Sequence, residues 1–319
     1  MIEKEVSRAP QLALVLALLA VFGGFGLALG QDWWTGSNVE TILRQTAIVG
    51  FAAIGMTFVI IRGGIDLSVG SIVALSTVVT AWSLQRGVEP LSAASLGVVA
   101  GALCGLVNGL VVNTLRVSPF IVTLGTLLVF RGLAKGLAGE QKIDAPMTWL
   151  AGLLARLGPG ERWMLVPVGV WLVVAAALVA AWVLRSTIFG RNVVAGGSNE
   201  EAAYLAGLPI GRDRVLVFVV AGLFAGLAGL MQFSRLTVGD PTVAQGLELD
   251  VIAAVVIGGA SLSGGEGSVL GSLIGALIMT VIRAGCSQMG LPDWVQQIVT
   301  GAIIVAAVAL DRWRTSRTD

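Results

Sequence analysis

Leu96-Gly97-Val98-Val99-Ala100-Gly101-Ala102-Leu103-Cys104-Gly105-Leu106-Val107-Asn108-Gly109 carries no charge, and glycine recurs in it at every fourth position. A helix places residues four apart on one face. Gly97, Gly101, Gly105 and Gly109 therefore line up, leaving a groove into which a neighbouring backbone fits, with Leu and Val elsewhere on the surface. Such a helix suits the interior of a bilayer bundle, where close backbone approach and van der Waals contact hold helices together. These four glycines are predicted as helix-packing positions, and Gly222/Gly226 and Gly271/Gly275 repeat the spacing.

The rest of the chain agrees. Its 319 residues are 56% hydrophobic and only 12% charged, with 43 Gly, no His and a mean hydropathy of +0.90. A soluble domain carries about 25% charged residues. The apolar runs are near the ~20 residues a helix needs to cross hydrocarbon. We read ten crossings, at 11–30, 41–61, 71–84, 93–113, 119–137, 164–184, 215–234, 249–263, 269–286 and 292–310. The expected fold is all-α, a single polytopic transmembrane helical bundle spanning 1–319. The third and eighth runs are short, which predicts tilted, broken or re-entrant helices. Ala28-Leu29-Gly30 resembles a cleavage site, but the run before it exceeds the 7–15 residues of a signal core. It reads as a retained anchor.

Lysine and arginine near span ends set orientation. Lys4 and Arg8 precede the first crossing, Arg185, Arg191, Arg212 and Arg214 sit between the sixth and seventh, and Arg312, Arg314 and Arg317 follow the tenth. Even numbers of crossings separate these clusters, so all three, and both termini, are expected in the cytoplasm. Arg86, Lys142, Arg156 and Arg162 then fall outside. Trp33, Trp34, Trp149, Trp163 and Trp294 are predicted to form an outer aromatic belt. Residues 96–103 match residues 270–277 at five of eight positions, five crossings apart. An odd separation reverses orientation, as in an inverted repeat; chance likeness among Gly/Ala/Leu-rich helices is the competing explanation.

Several chemistries drop out. Without His the commonest proton shuttle and metal ligand is missing, and no G-x-x-x-x-G-K-[ST] stretch provides a nucleotide P-loop. We expect no cofactor, no metal and no enzyme activity, since the spans hold no nucleophile–base pair. Cys104 and Cys286 lie in apolar runs and read as small core residues. A net charge of +1 without a basic run argues against nucleic acid.

Polar residues inside the spans are more informative. Gln45, Asn108, Asn113, Thr123 and Gln232 each need a partner on another helix or a wet cavity. Taken together, with Phe120 and Phe130 near them, they suit a polar, uncharged solute; for any one alone, interhelical bonding is the plainer reading. In Gly63-Gly64-Ile65-Asp66-Leu67-Ser68-Val69-Gly70 the double glycine ends one helix, and Asp66 or Ser68 can cap the next. Equally, Asp66 and freed backbone groups can face an aqueous pathway. Arg62 is the nearest partner for Asp66 by sequence.

The loop over 185–214 holds the sharpest local signal. Asn199 or Ser198 is suited to cap a short helix whose first turn holds Glu200 and Glu201, favoured by the helix dipole. Gly207 ends it and Pro209 blocks its continuation. An exposed short helix between spans needs a partner surface.

Glu201-Ala202-Ala203-x-x-x-Gly207 resembles the EAA-x3-G element of importer permeases of the ATP-binding-cassette class. Gly63 to Gly70, Asn108-Gly109, Val117-Ser118-Pro119-Phe120-Ile121-Val122-Thr123-Leu124-Gly125-Thr126 and Val256-Ile257-Gly258-Gly259-Ala260-Ser261-Leu262-Ser263-Gly264-Gly265-Glu266-Gly267 resemble the monosaccharide branch of that class. The likeness implies a permease subunit in the bacterial cytoplasmic (inner) membrane, moving a monosaccharide with ATP hydrolysed by a partner ATPase subunit. It also implies a periplasmic or extracellular sugar-binding protein and a second permease subunit, identical or related. Pathway candidates are Gln45, Asp66, Ser68, Asn108, Asn113, Phe120 and Thr123. Coupling candidates are Arg191, Asn192, Glu200, Glu201, Ala202, Ala203 and Gly207. The alternatives are a branched-chain amino acid or nucleoside permease of the same class, or a secondary transporter.

Overall fold

A computed structural model describes residues 9–315. Helix α1 (Ala9–Leu29) passes through a 3-10 turn, Gly30–Trp34, into α2 (Gly36–Ile61), followed by α3 (Val69–Gln85), α4 (Pro90–Leu115) and α5 (Pro119–Ala138). Strand β1 (Ile143–Asp144) and two 3-10 turns lead to α6 (Val168–Ser186). Two short helices, α7 (Ile188–Ser198) and α8 (Glu200–Leu205), precede α9 (Ile210–Leu236). Strand β2 (Val238–Gly239), α10 (Leu247–Ile257), α11 (Val269–Gln288) and α12 (Asp293–Thr315) complete the chain. The two strands pair antiparallel, Ile143 opposite Gly239.

The result is a polytopic helical bundle. Among the described residues, seven stretches are long and apolar enough to span a membrane: α1 with its following turn, α2, α4, α5, α6, α9 and α11. Helix α3 has 17 residues, α10 only 11, and α12 carries a shorter apolar stretch over Asp293–Ala309. The eighth run, read as reaching 263, stops at Ile257 because Gly258 and Gly259 turn the chain, Gly259 with φ +92°. The sixth starts at Val168, where Pro167 occupies the cap. Of the α2 apolar stretch 83% is buried, against 6% for α1, so α2 is central and α1 peripheral.

Backbone contact between α4 and α9 is the most extensive pairing. A Cβ placed on Gly101 would lie 2.5 Å from the Gly222 carbonyl oxygen and 2.8 Å from the Gly226 Cα. One on Gly222 would lie 2.8 Å from the Gly105 Cα, and one on Gly109 2.9 Å from the Val215 Cα. Later residues of α4 thus meet earlier residues of α9, an antiparallel crossing. Gly97 belongs to another contact, against Thr80 and Ser76 of α3.

The helix pairings recur within the chain. Exchanging α2 with α9, α3 with α10, α4 with α11 and α5 with α12 carries the α4–α9 contact onto α11–α2. It also carries α3–α4 onto α10–α11 and α3–α5 onto α10–α12, and all of these contacts are present. The linkers match too. Before α3, Asp66 Oδ1 accepts from the Ser68 N–H at 2.8 Å and its hydroxyl at 2.6 Å. Before α10, Asp240 Oδ1 accepts from the Thr242 N–H at 2.8 Å and its hydroxyl at 2.6 Å.

Two expectations need correction. Trp33 is fully buried, its Nε1–H donating to the Phe22 carbonyl at 3.0 Å with its ring against Phe22 and Phe25. It pins α1 to the bundle and is no part of an interfacial belt, whereas Trp34, Trp149, Trp163 and Trp294 are exposed. The 185–214 loop holds two short helices, not one. Of the orientation markers, Lys4, Arg8 and Arg317 lie outside the described residues, as do the side chains of Arg162, Arg312 and Arg314.

Leucine at Gly101 or Gly105 overpacks the α4–α9 crossing and destabilises the bundle by about 1–3 kcal/mol or more. Gly125→Leu on α5 is the control, because nothing lies within 4 Å of a Cβ there. Thermal melting in detergent should separate the three variants; equal melting temperatures would refute the close-contact argument.

Candidate functional site

Local sequence builds the α7–α8 pair. The Thr187 hydroxyl caps α7 by accepting the Gly190 N–H at 3.1 Å, and Asn199 Oδ1 caps α8 by accepting the Ala202 N–H at 2.9 Å. Gly207, at φ +82°, turns the chain out of α8, and Pro209 leads into α9.

One side of this pair is fastened to the end of α2. Arg62, only 8% exposed, donates to the Gly196 carbonyl at 2.7 Å and to Glu200 Oε2 at 3.1 Å. Arg214 at the start of α9 donates to the other Glu200 oxygen. Gly197 sits against the Ile61 carbonyl, which accepts the Gly265 N–H at 2.8 Å, so three segments meet there with no room for a side chain. The Asn192 amide donates to Asp213 at 2.9 Å and ties α7 to α9. Partial burial pushes the Glu200 carboxyl upward, but Arg214 and behind it Arg62 outweigh that and hold it below the usual 4.5. Arg62 is therefore committed to Glu200, and the expected Arg62–Asp66 pairing is not formed. The double glycine turns Asp66 inward, away from the last turn of α2.

The other side of the pair is bare. Glu201 and Ala202 are exposed, and Tyr204 and Leu205 stand out at 70% and 79% exposure. Ala203 faces inward and is buried, while Arg191 is exposed on α7.

The pathway candidates do not share one place. Asp66, Ser68, Asn108 and Thr123 form a fully buried polar knot. The Ser68 hydroxyl accepts from the Asn108 amide at 2.8 Å, and the Thr123 hydroxyl donates to the Ile65 carbonyl at 3.1 Å. Asn113 lines a cavity of about 720 Å³ together with Arg62, Gly63, Gly64, Arg116 and Arg214. Gln45 lines a separate cavity at the opposite end of the bundle. Phe120, 46% exposed, lies on the outer surface of α5. Sequence reading used Arg62 only as a partner for Asp66 and Arg214 only as an orientation marker, and it passed over Leu205. Only the Asp-x-[Ser/Thr] echo between Asp66 and Asp240 left a signal that was there to be read.

A sequence profile described as the branched-chain amino acid transport system permease component matches residues 38–308. The chain is 42% identical to the ribose import permease protein of Bacillus subtilis over 280 residues, covering 88% of this chain and 86% of that protein. Identity to the ribose import permease protein of Escherichia coli K12 is 38% over 300 residues, 94% and 92% of the two chains. The L-arabinose ABC transporter permease protein of Azospirillum brasilense is 38% identical over 304 residues, 95% and 88% of the two. No solved structure matches the chain.

Arg62→Ala should free the short-helix pair from α2. Limited proteolysis between 198 and 207 would then accelerate several-fold while the long helices stay intact; an unchanged cleavage rate would show that the latch holds nothing. Acid should act the same way. A carboxyl held below 4.5 contributes stability that is complete above that value and lost as pH falls through the lower folded-state value.

Proposed function

The chain belongs to the family of branched-chain amino acid transport system permease components, and from that premise we propose that it is the membrane-spanning subunit of an ATP-driven bacterial sugar importer. Its relatives are import permeases for ribose and arabinose, which favours a monosaccharide over an amino acid as cargo. The Gly-Ile-Asp-Leu-Ser string at 64–68 points the same way.

The observation that carries the reading is the two-sided α7–α8 pair. Its inner side is clamped by Arg62, Arg214 and the Gly196-Gly197 contact, and its outer tip presents Tyr204 and Leu205 with nothing over them among the described residues. An apolar tip on a rigid mount is suited to seat in a groove of a second protein. In our reading that protein is the ATPase subunit, and the tip faces the cytoplasm with both chain termini. Closure of the ATPase pair pulls the tip; the clamp passes the pull to α2 and α9, and the glycine-packed helices shift as rigid units between outward-open and inward-open arrangements. A binding protein outside delivers the sugar, and a second permease subunit completes the pore.

The structure changes which substitutions test this. Ala203 is buried and Gly207 has a positive φ, so a bulky residue at either disturbs α8 itself. Leu205→Lys places a favourable charge at the C-terminal end of α8 and spoils only its exposed apolar tip. Co-purified ATPase should drop at least tenfold, with uptake of labelled pentoses and hexoses into vesicles falling in step. Full ATPase retention and wild-type uptake would defeat the docking role; uptake by the isolated chain driven by an ion gradient would defeat the importer reading.

A further inference from the structure

A second cavity, of about 180 Å³, lies between α2, α9, α10 and α11, lined by Gln45, Gln232, Asp250, Thr280, Arg235 and Arg283 among others. Gln232 comes 22 residues after the first residue of α9, roughly 33 Å along the helix from the α7–α8 end at 1.5 Å per residue. Arg283 reaches in from its rim, half exposed, and bonds Asp250 Oδ2 at 2.6 Å.

The knot around Asp66 also leaves Asp66 Oδ2 and Asn108 Oδ1 without partners among the described residues, but it lines neither of the two cavities, whereas the polar groups here line one. Asp250 is only 4% exposed, yet its Oδ1 has no hydrogen-bond partner among the described residues. The half-buried amides of Gln45 and Gln232 also make no hydrogen bond to the described residues. An amide in a bundle interior is costly unless bonded. Two glutamines and a carboxylate oxygen from three helices thus line one small space without hydrogen-bond partners among the described residues.

Their chemistry selects the ligand. Arg283 is paired with Asp250, so a cation finds no unpaired carboxylate, and an anion entering the cavity meets the free Asp250 oxygen. Hydroxyl groups both donate and accept, matching amides and a lone carboxylate oxygen together. The volume holds about six water molecules at ~30 Å³ each, the scale of one sugar ring.

We propose that this cavity is a sugar subsite inside a single permease subunit. It takes one uncharged monosaccharide, whose hydroxyls bond Gln45, Gln232 and Asp250 Oδ1. The proposal rests on the sugar-importer reading above and adds a place of contact within the subunit.

The test uses the complete complex in proteoliposomes with its binding protein and ATPase. Uptake of D-ribose is compared with that of its mono-deoxy analogues in wild type, Gln45→Leu and Gln232→Leu, with melting temperature as the folding control. Selection by the binding protein multiplies every variant equally and cancels in the ratio of ratios. The wild-type preference for ribose over at least one deoxy analogue should shrink about five- to tenfold in one or both variants, the scale of one lost hydrogen bond. The two substitutions lie on different helices, so either folded variant suffices. An unchanged preference overturns the subsite and leaves the importer standing. Wild-type uptake of leucine or isoleucine with none of ribose, arabinose, fructose or allose overturns both.

Discussion

Backbone-on-backbone contact between α4 and α9 is the constraint from which the rest follows. Apolar side chains gain little by leaving lipid for each other, so adhesion depends on how many atoms reach van der Waals distance. Gly101 and Gly105 against Gly222 and Gly226 bring the two backbones into direct contact, with no room for a Cβ between them. At one end that closeness sets Asn113 beside Gly211 and holds the start of α9 where Arg214 meets Glu200. Along the middle it leaves the other side of α9 to α2, which is buried nearly throughout. A rigid α4–α9 unit also has little freedom to bend, so motion within the bundle has to pass between such units.

Polar groups then sort into two kinds. A bilayer offers no water to unsatisfied donors and acceptors, and most polar side chains here answer locally: the Thr46, Thr57, Thr80 and Thr280 hydroxyls donate to carbonyls four residues back. The knot of Asp66, Ser68, Asn108 and Thr123 answers across helices and fastens the α2–α3 linker to α4 and α5. Asp66 Oδ1 braces Ser68, the residue at the N-terminal cap of α3, while Asp66 Oδ2 has no partner among the described residues. Gln45 and Gln232 make neither kind of bond among the described residues, and with Asp250 Oδ1 they line the smaller cavity.

What could be read from sequence follows the range of the interactions involved. The limits of α8 were legible because Asn199, Gly207 and Pro209 act on their own neighbours. The glycine groove was legible as a groove, but its occupants were not: nothing near Gly97 says that it meets α3 while Gly101 meets α9. Arg62 and Glu200 are 138 positions apart, and a chain with Asp66 four residues from Arg62 suggests the wrong partner. Helix α7 has no comparable local signal, and its Gly197 gains meaning only from the Ile61 carbonyl that it lets approach. Trp33 was misassigned because a tryptophan just past an apolar run reads as interfacial unless its packing against Phe22 and Phe25 is known.

The internal exchange ties the two cavities together. Swapping α2 with α9 and α4 with α11 takes a space at the end of α2, the end of α4 and the start of α9 to one at the end of α9, the end of α11 and the start of α2. The first is where Arg62, Asn113 and Arg214 line the larger cavity; the second is where Gln232, Arg283 and Gln45 line the smaller. One packing scheme, used twice, thus makes a vestibule at each end, and sequence divergence has given them different chemistry. The larger shares its arginines with the latch on Glu200, so a displacement of α8 reaches its wall directly. The smaller has no latch residue in its lining and keeps its amides free. In the reading proposed above, mechanical work and solute enter the same repeated scaffold at opposite ends, joined through α2 and α9.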